Sequence, residues 1–306
     1  MIPYEPFHVC YGIILPVISY KRFIVCIVLL SFFYFNSCTQ PVTKNNTRLK
    51  VLTTVAPIFS FTKNITGNTA DVENLLPSGA GAHDYSLSPD DARKIAQADI
   101  IIINGVNLES WLNKLTGVSE KSSIYTVVDS SSGIDILDND PHIWLSPLNA
   151  IVQVKRIRDG LINADPENSK LYSDNTAAYI KRLEILDKEI SDEISGWKRK
   201  DFVAFHPAFR YLAKDYGLNL AAVIRESPET EPSPRHITEV IDTIRSKNIK
   251  SIFTDPMITH KIVRSIAADL NLQVYSLDTM ESGNSSKEYY EDRTRANISV
   301  LKKVLY

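Results

Sequence analysis

Of the six histidines in this chain, three stand where neither packing nor helix capping explains them. His83 lies in PSGAGAHDYSLSPDD behind Gly79, Ala80, Gly81 and Ala82, which offer an imidazole almost nothing to pack against. His142 lies in DNDPHIW, after Asp138, Asn139, Asp140 and Pro141. His206 closes FVAFH and precedes Pro207, a cap position that other segments give to Ser or Asp, although histidine is not a preferred cap. His8 lies in the leader, while His236 and His260 fall inside the helical patterns RHITEV and ITHKIV and read as surface or packing residues. Three imidazoles with one carboxylate would make a four-ligand metal site, and Asp278 in VYSLDTM is the carboxylate candidate. Asp255 is a rival, although Asp255-Pro256 also reads as a helix cap. These spacings form no local signature. Residue types alone leave open a shared metal and a set of separately satisfied loop side chains.

The elements that must position these residues are legible as two sets of β-branched runs. The first is LKVLTTVA, DVENLL, DIIIIN and IYTVV; the second is FVAFH, LAAVI, KSIFT and QVYSL. Near-continuous apolar strands separated by helix-length segments predict βα units around parallel sheets. Four strands per half predict an α/β fold of two similar lobes. Ser88-Pro89, Ser146-Pro147, Asp165-Pro166, Ser233-Pro234 and Asp255-Pro256 each set a capping oxygen before a proline at a helix's first position. The Asp165 helix continues its apolar face through Tyr172, Tyr179, Leu183, Leu186, Ile190, Ile194 and Trp197. About thirty residues at 1.5 Å each give roughly 45 Å, enough to bridge both lobes as one rigid helix. In open α/β sheets ligands sit beyond the carboxyl ends of the strands. His83, His142, His206 and Asp278 all fall past such ends, so the cleft between the lobes is the predicted site.

Residues from about 49 to 306 resemble the ZnuA/TroA-like solute-binding proteins, the metal-binding lipoproteins that feed ABC importers. The matching stretches are LLPSGAGAHDYSLSPDDARKIAQADIIIINGVNLESWL, DPHIWLSP, AFHPAFRYLAKDYGL, ESPETEPSP and the closing VYSLD. The resemblance implies metal ligands at His83, His142, His206 and Asp278, with Asp255 the weaker alternative. It also implies capture of a divalent ion for an ABC permease, and a rigid helix between two lobes. Three neutral imidazoles favour zinc, whereas a second carboxylate in place of one histidine would suit manganese. In the family, a histidine at the third position, here His206, leans to zinc. Many zinc-binding members carry a histidine-rich loop, but SSSGIDILDNDP, Ser130 to Pro141, holds acids and no histidine.

Other features bound the function. The chain has 306 residues and a formal net charge of −2, without the basic footprint of a nucleic-acid binder. Lys21 and Arg22 precede the apolar stretch FIVCIVLLSFFYF, then Asn36, Ser37 and Cys38, the layout of an export signal. Cys38 resembles a bacterial lipoprotein cleavage site, so a lipid anchor in the cell envelope, periplasmic or on the cell surface, is expected. The expected organisation is a signal region over 1–37, with a possible mis-assigned start before 21, and a tether over 38–48. An N-terminal lobe over 49–164, a bridging helix over 165–197 and a C-terminal lobe over 198–306 follow. Alternatives to zinc capture are a manganese or iron binder of the same family, a surface adhesin, or a zinc hydrolase. The hydrolase reading lacks an HExxH pairing and an open coordination position. The loop with Glu226, Glu229 and Glu231 is a candidate face for the permease, or simply a solvated loop.

Overall fold

The computed structural model describes residues 48–83, 85–112, 126–226, 231–256, 261–283 and 286–306. The signal region, the tether up to residue 47 with Cys38, and His260 and Glu229 lie outside the described residues. Among the described residues, no helix is long and apolar enough to cross a membrane.

All eight expected strands form. The first sheet contains β1 (Leu49–Thr53), β2 (Ala70–Asn74), β3 (Ile100–Ile103) and β4 (Thr126–Asp129), in the order β2-β1-β3-β4. The second contains β5 (Asp201–Ala204), β6 (Asn219–Val223), β7 (Ser251–Thr254) and β8 (Gln273–Ser276), in the order β6-β5-β7-β8. Every pairing is parallel, and the two orders match strand for strand. Parallel strands must be covered on both faces, which is why β3 reads IIII and buries Ile100, Ile101 and Ile102 completely.

The helices that matter for the site are α1 (Ala56–Thr66), α2 (Pro89–Gln97), α3 (Pro147–Ala164), α4 (Ser169–Ser195) and α5 (Arg210–Asp215). In the second lobe follow α6 (Pro234–Ser246), α7 (Lys261–Leu270) and α8 (Tyr289–Leu305). Ser88, Ser146 and Ser233 cap α2, α3 and α6 by accepting from Asp91, Asn149 and His236 backbone N–H groups. Asp165 differs: it precedes a 3-10 turn, Pro166–Asn168, and accepts instead from the Tyr172 hydroxyl at 2.7 Å. The turn delays the helix by three residues. The residues after Asp255-Pro256 lie outside the described set, and the described part of α7 begins at Lys261.

Helix α4 spans 27 residues, about 40 Å at 1.5 Å per residue. Its expected apolar face is buried, with Thr176 added to it. Polar residues beside that face add contacts on both sides: Asn175 donates to Ile65 of α1, while Glu189 and Glu193 pair with Arg295 and Lys302 of α8. Helix α8 packs back on α1, where Phe61 meets Tyr290 edge to face at 4.8 Å. Ser60 and Asn64 both donate to the carbonyl of Lys287. One continuous core therefore runs from Val51 and Ile102 of the first sheet to Phe202 and Phe253 of the second. Lobes that share a core do not swing freely, because opening would expose close-packed apolar surface.

Candidate metal site

His83 is held by a loop less idle than its composition suggests. Gly79 takes a φ of 87°, which a side chain would resist, and turns the chain after β2. Ala82 is fully buried, and its carbonyl accepts from the Trp111 indole at 2.8 Å. The small residues thus pack the loop against Trp111 and leave the imidazole of His83 at the rim.

His142 is the anchor of the site, 2% exposed, ahead of the 3-10 turn Ile143–Leu145. Asp140 Oδ1 accepts from its backbone N–H at 3.0 Å and lies 2.6 Å from its Nδ1. That contact orients the ring and leaves Nε2 facing the cleft. The other oxygen of Asp140, Oδ2, is buried and has no hydrogen-bond partner among the described residues, so the polar contacts of this carboxylate are made to His142. Trp144 packs against the His142 ring at 5.4 Å, and its indole donates to the carbonyl of Thr279 in the second lobe.

His206 caps the 3-10 turn Pro207–Phe209 in position only, since its side chain makes no capping hydrogen bond. Its ring instead faces His142, with centroids 5.1 Å apart. Four residues further on, α5 fastens the acidic Ser130–Pro141 loop. Arg210 pairs with Asp138 at 2.7 Å and Lys214 with Asp135 at 3.2 Å. The Tyr211 hydroxyl donates to the carbonyl of Asp140 and accepts from the Leu137 N–H. The acidic Ser130–Pro141 loop is thus clasped to the second lobe.

The carboxylate that meets the histidines is Glu281. Its Oε1 lies 2.9 Å from His142 Nε2, 3.6 Å from His83 Nε2 and 3.7 Å from His206 Nε2, and the first two nitrogens are 3.3 Å apart. A tetrahedral ion bound to nitrogen and oxygen at about 2.0–2.1 Å holds its ligand atoms about 3.3 Å apart, so these separations suit one. His83, His142 and Glu281 form a mutual cluster within 4.8 Å, and His206 joins through Glu281.

Asp278 is not in this constellation. Its Oδ1 accepts from the N–H of Met280 at 2.8 Å, its backbone exchanges hydrogen bonds with Asn297 of α8, and Oδ2 is 3.7 Å from Arg293. Asp255 is also engaged elsewhere, accepting from the Thr279 hydroxyl at 2.9 Å. The reason is local: Asp278 closes a turn in which Met280 adopts a φ of 62°, and that turn swings the next residue into the cleft. The strand-end rule leads to this loop and to its first carboxylate, whereas the side chain that clusters with the histidines is Glu281. Ser282 and Gly283, two small residues directly after Glu281, were the available signal, echoing the small residues beside His83.

Electrostatics bind the set together. Burial would raise the Glu281 carboxyl, but the hydrogen bond from His142 and the neighbouring His206 and His83 imidazoles hold it well below the usual carboxylate range. Burial opposes charge on His142 as well, yet its contacts with Asp140 and Glu281 lift it to about 9. These shifts favour the charged imidazolium of His142 beside a charged Glu281 in the metal-free protein. If the cluster holds a divalent ion, Asp140→Ala should lower its affinity about 10–100-fold, the usual cost of losing a carboxylate behind a ligating histidine, with little change in far-UV circular dichroism. Competition with a chromophoric chelator would measure it, and wild-type affinity would refute the positioning role.

Two parallel α/β lobes, held by a long helix and a shared core, thus gather three histidines and a carboxylate at one place. The chain belongs to the ZnuA family: the model of zinc-uptake complex component A, periplasmic, matches residues 51–304. It is 32% identical over 281 residues to the zinc-binding lipoprotein AdcA of Streptococcus pneumoniae, covering 84% of this chain and 54% of AdcA. The chain therefore spans about half the length of that relative. With the high-affinity zinc uptake system protein ZnuA of Bacillus subtilis it shares 30% identity over 280 residues, 83% of this chain and 87% of that protein. The solved structure of the SBP FpvC of Pseudomonas aeruginosa with Ni2+ superposes with a TM-score of 0.76 at 29% identity. That match covers 85% of this chain and 97% of FpvC.

Proposed function

We propose that this protein captures a zinc ion with His83, His142, His206 and Glu281 and delivers it to an ABC permease. The observation that carries the reading is the convergence of three imidazole Nε2 atoms on one carboxylate oxygen, at separations of 2.9–3.7 Å. The donor set supports zinc over manganese, since three nitrogens with one oxygen suit a borderline ion and a harder ion prefers more carboxylate. Nickel is the ion named in the FpvC structure, and it too accepts imidazole. With four protein donors no position stays open for an activated water, so the ion is cargo and the protein is not an enzyme. The shared core supports a pocket that closes by small adjustments of the two lobes. We place the protein in the cell envelope, outside the cytoplasm, tethered by a lipid on Cys38. The relative AdcA is named a lipoprotein, and the ZnuA family model is described as periplasmic.

The test is elemental analysis of the purified protein, followed by competition between zinc, manganese and nickel. Zinc should be retained and should displace manganese. His206→Ala should weaken zinc binding about tenfold or more, since losing one ligand interaction of 1.4 kcal/mol already corresponds to that factor. Unchanged zinc affinity by calorimetry in this variant would remove His206 from the site.

A further inference from the structure

The amino end of the second sheet, at the opposite end of its strands from the metal cleft, carries a concavity of about 330 Å³. Its rim holds Lys198, Arg199, Lys200, Lys247 and Lys250 against a single acid, Asp201. Lys247 pairs with Asp201 at 2.7 Å, and Lys200 donates to the carbonyl of Ile194. Among the described residues, Lys198, Arg199 and Lys250 have no carboxylate in ion-pair reach. At the first position of β7, Ser251 lines the same pocket, is only 3% exposed and makes no side-chain hydrogen bond among the described residues. Its hydroxyl is not among the solvent-excluded atoms left without a partner, so it opens to the pocket as a donor.

The first lobe supplies an internal comparison. At the amino end of its sheet a concavity of about 200 Å³ is lined by Lys50 and Lys94 together with Asp71 and Glu73. There the charges balance, with Lys94 at 3.7 Å from Glu73 and Arg48 at 3.3 Å from Asp71. Two lobes of matching topology thus differ in this one respect. In a chain of net charge −2, the second lobe gathers cations without a carboxylate in reach, among the described residues, around a pocket with a hydroxyl donor.

We propose that this pocket is a binding site for a phosphate group. The guanidinium of Arg199 offers a planar pair of donors, and the lysines add point charges around it. The Ser251 hydroxyl supplies a neutral donor from the wall. A tetrahedral dianion accepts from several directions at once, which a single carboxylate does not.

The metal-free, isotope-labelled protein is titrated with inorganic phosphate, with glycerol phosphate, and with phosphatidylcholine vesicles with or without phosphatidylglycerol. Amide shifts confined to 198–202 and 247–251 are expected. The triple variant Lys198→Gln, Arg199→Gln, Lys250→Gln should bind at least about tenfold more weakly, the loss expected from one charge-assisted hydrogen bond. Ser251→Ala, which keeps every charge, should weaken binding several-fold. Response to the soluble phosphates assigns the site to a free phosphate group. Response only to the phosphatidylglycerol vesicles, lost in the triple variant, assigns it to a lipid headgroup. No response to any probe, or equal response in the triple variant, overturns the proposal. Zinc affinity of the triple variant should match the wild type, so this result stands apart from the fate of the metal site.

Discussion

Glu281→Gln should weaken zinc binding about a hundredfold or more, whereas Asp278→Asn should leave it nearly unchanged. The first substitution keeps the size of the side chain but removes the negative charge that the three imidazoles share. Breaking one side of a buried ionic contact costs about 3–5 kcal/mol, which is two to three and a half decades in affinity. Asp278→Asn retains the Oδ1 that accepts from Met280, so the turn aiming Glu281 survives. Both affinities are measurable by competition with a zinc chelator at fixed pH. Loss of binding in Asp278→Asn with retention in Glu281→Gln would return the carboxylate role to Asp278. The pair of variants is informative because the two carboxylates share a loop and differ only in which way the backbone turns.

That turn marks the boundary of what the residues disclosed. The two sheets, their parallel order and the bridging helix were legible because buried parallel strands and a long amphipathic helix impose periodicities on sequence. IIII in β3 and the spacing from Tyr172 to Trp197 are such cases. The cleft was legible because strand ends are where such folds bind ligands, and three histidines stood there without other work. Choosing between Asp278 and Glu281 required knowing that Met280, a residue with a side chain, adopts a positive φ. Only a few per cent of such residues do, so no pattern announces it. The clasp of α5 on the Asp135–Asp140 loop was equally silent. Pairs such as Arg210 with Asp138 are 72 positions apart and gain meaning only once the lobes are packed.

The protonation of His142 makes the second large prediction. In the metal-free protein its Nδ1 faces Asp140 and its Nε2 faces Glu281, two carboxylates that together raise it to about 9 despite burial. A metal ion takes Nε2 and leaves the Nδ1–H on Asp140, so binding near neutral pH must expel one proton from this ring. Apparent zinc affinity should therefore rise roughly tenfold per pH unit between about pH 7 and 8.5, and flatten above about 9. Calorimetry in two buffers of different ionisation enthalpy should count about one proton released.

Stability runs the other way without metal. A folded-state value raised above the ordinary histidine value of about 6.5 means that the imidazolium stabilises the metal-free fold fully below that pH. This contribution is lost as pH rises through about 9. The metal-free melting temperature should drift down across this window, while the increment given by saturating zinc grows. In Asp140→Ala, which removes one of the two raising partners, the proton count and the slope of affinity with pH should both shrink. This should occur even though affinity itself falls. A flat zinc affinity between pH 7 and 8.5 in the wild type would mean that His142 enters the reaction already neutral. Glu281 would then hold the site by charge alone rather than through a proton it shares.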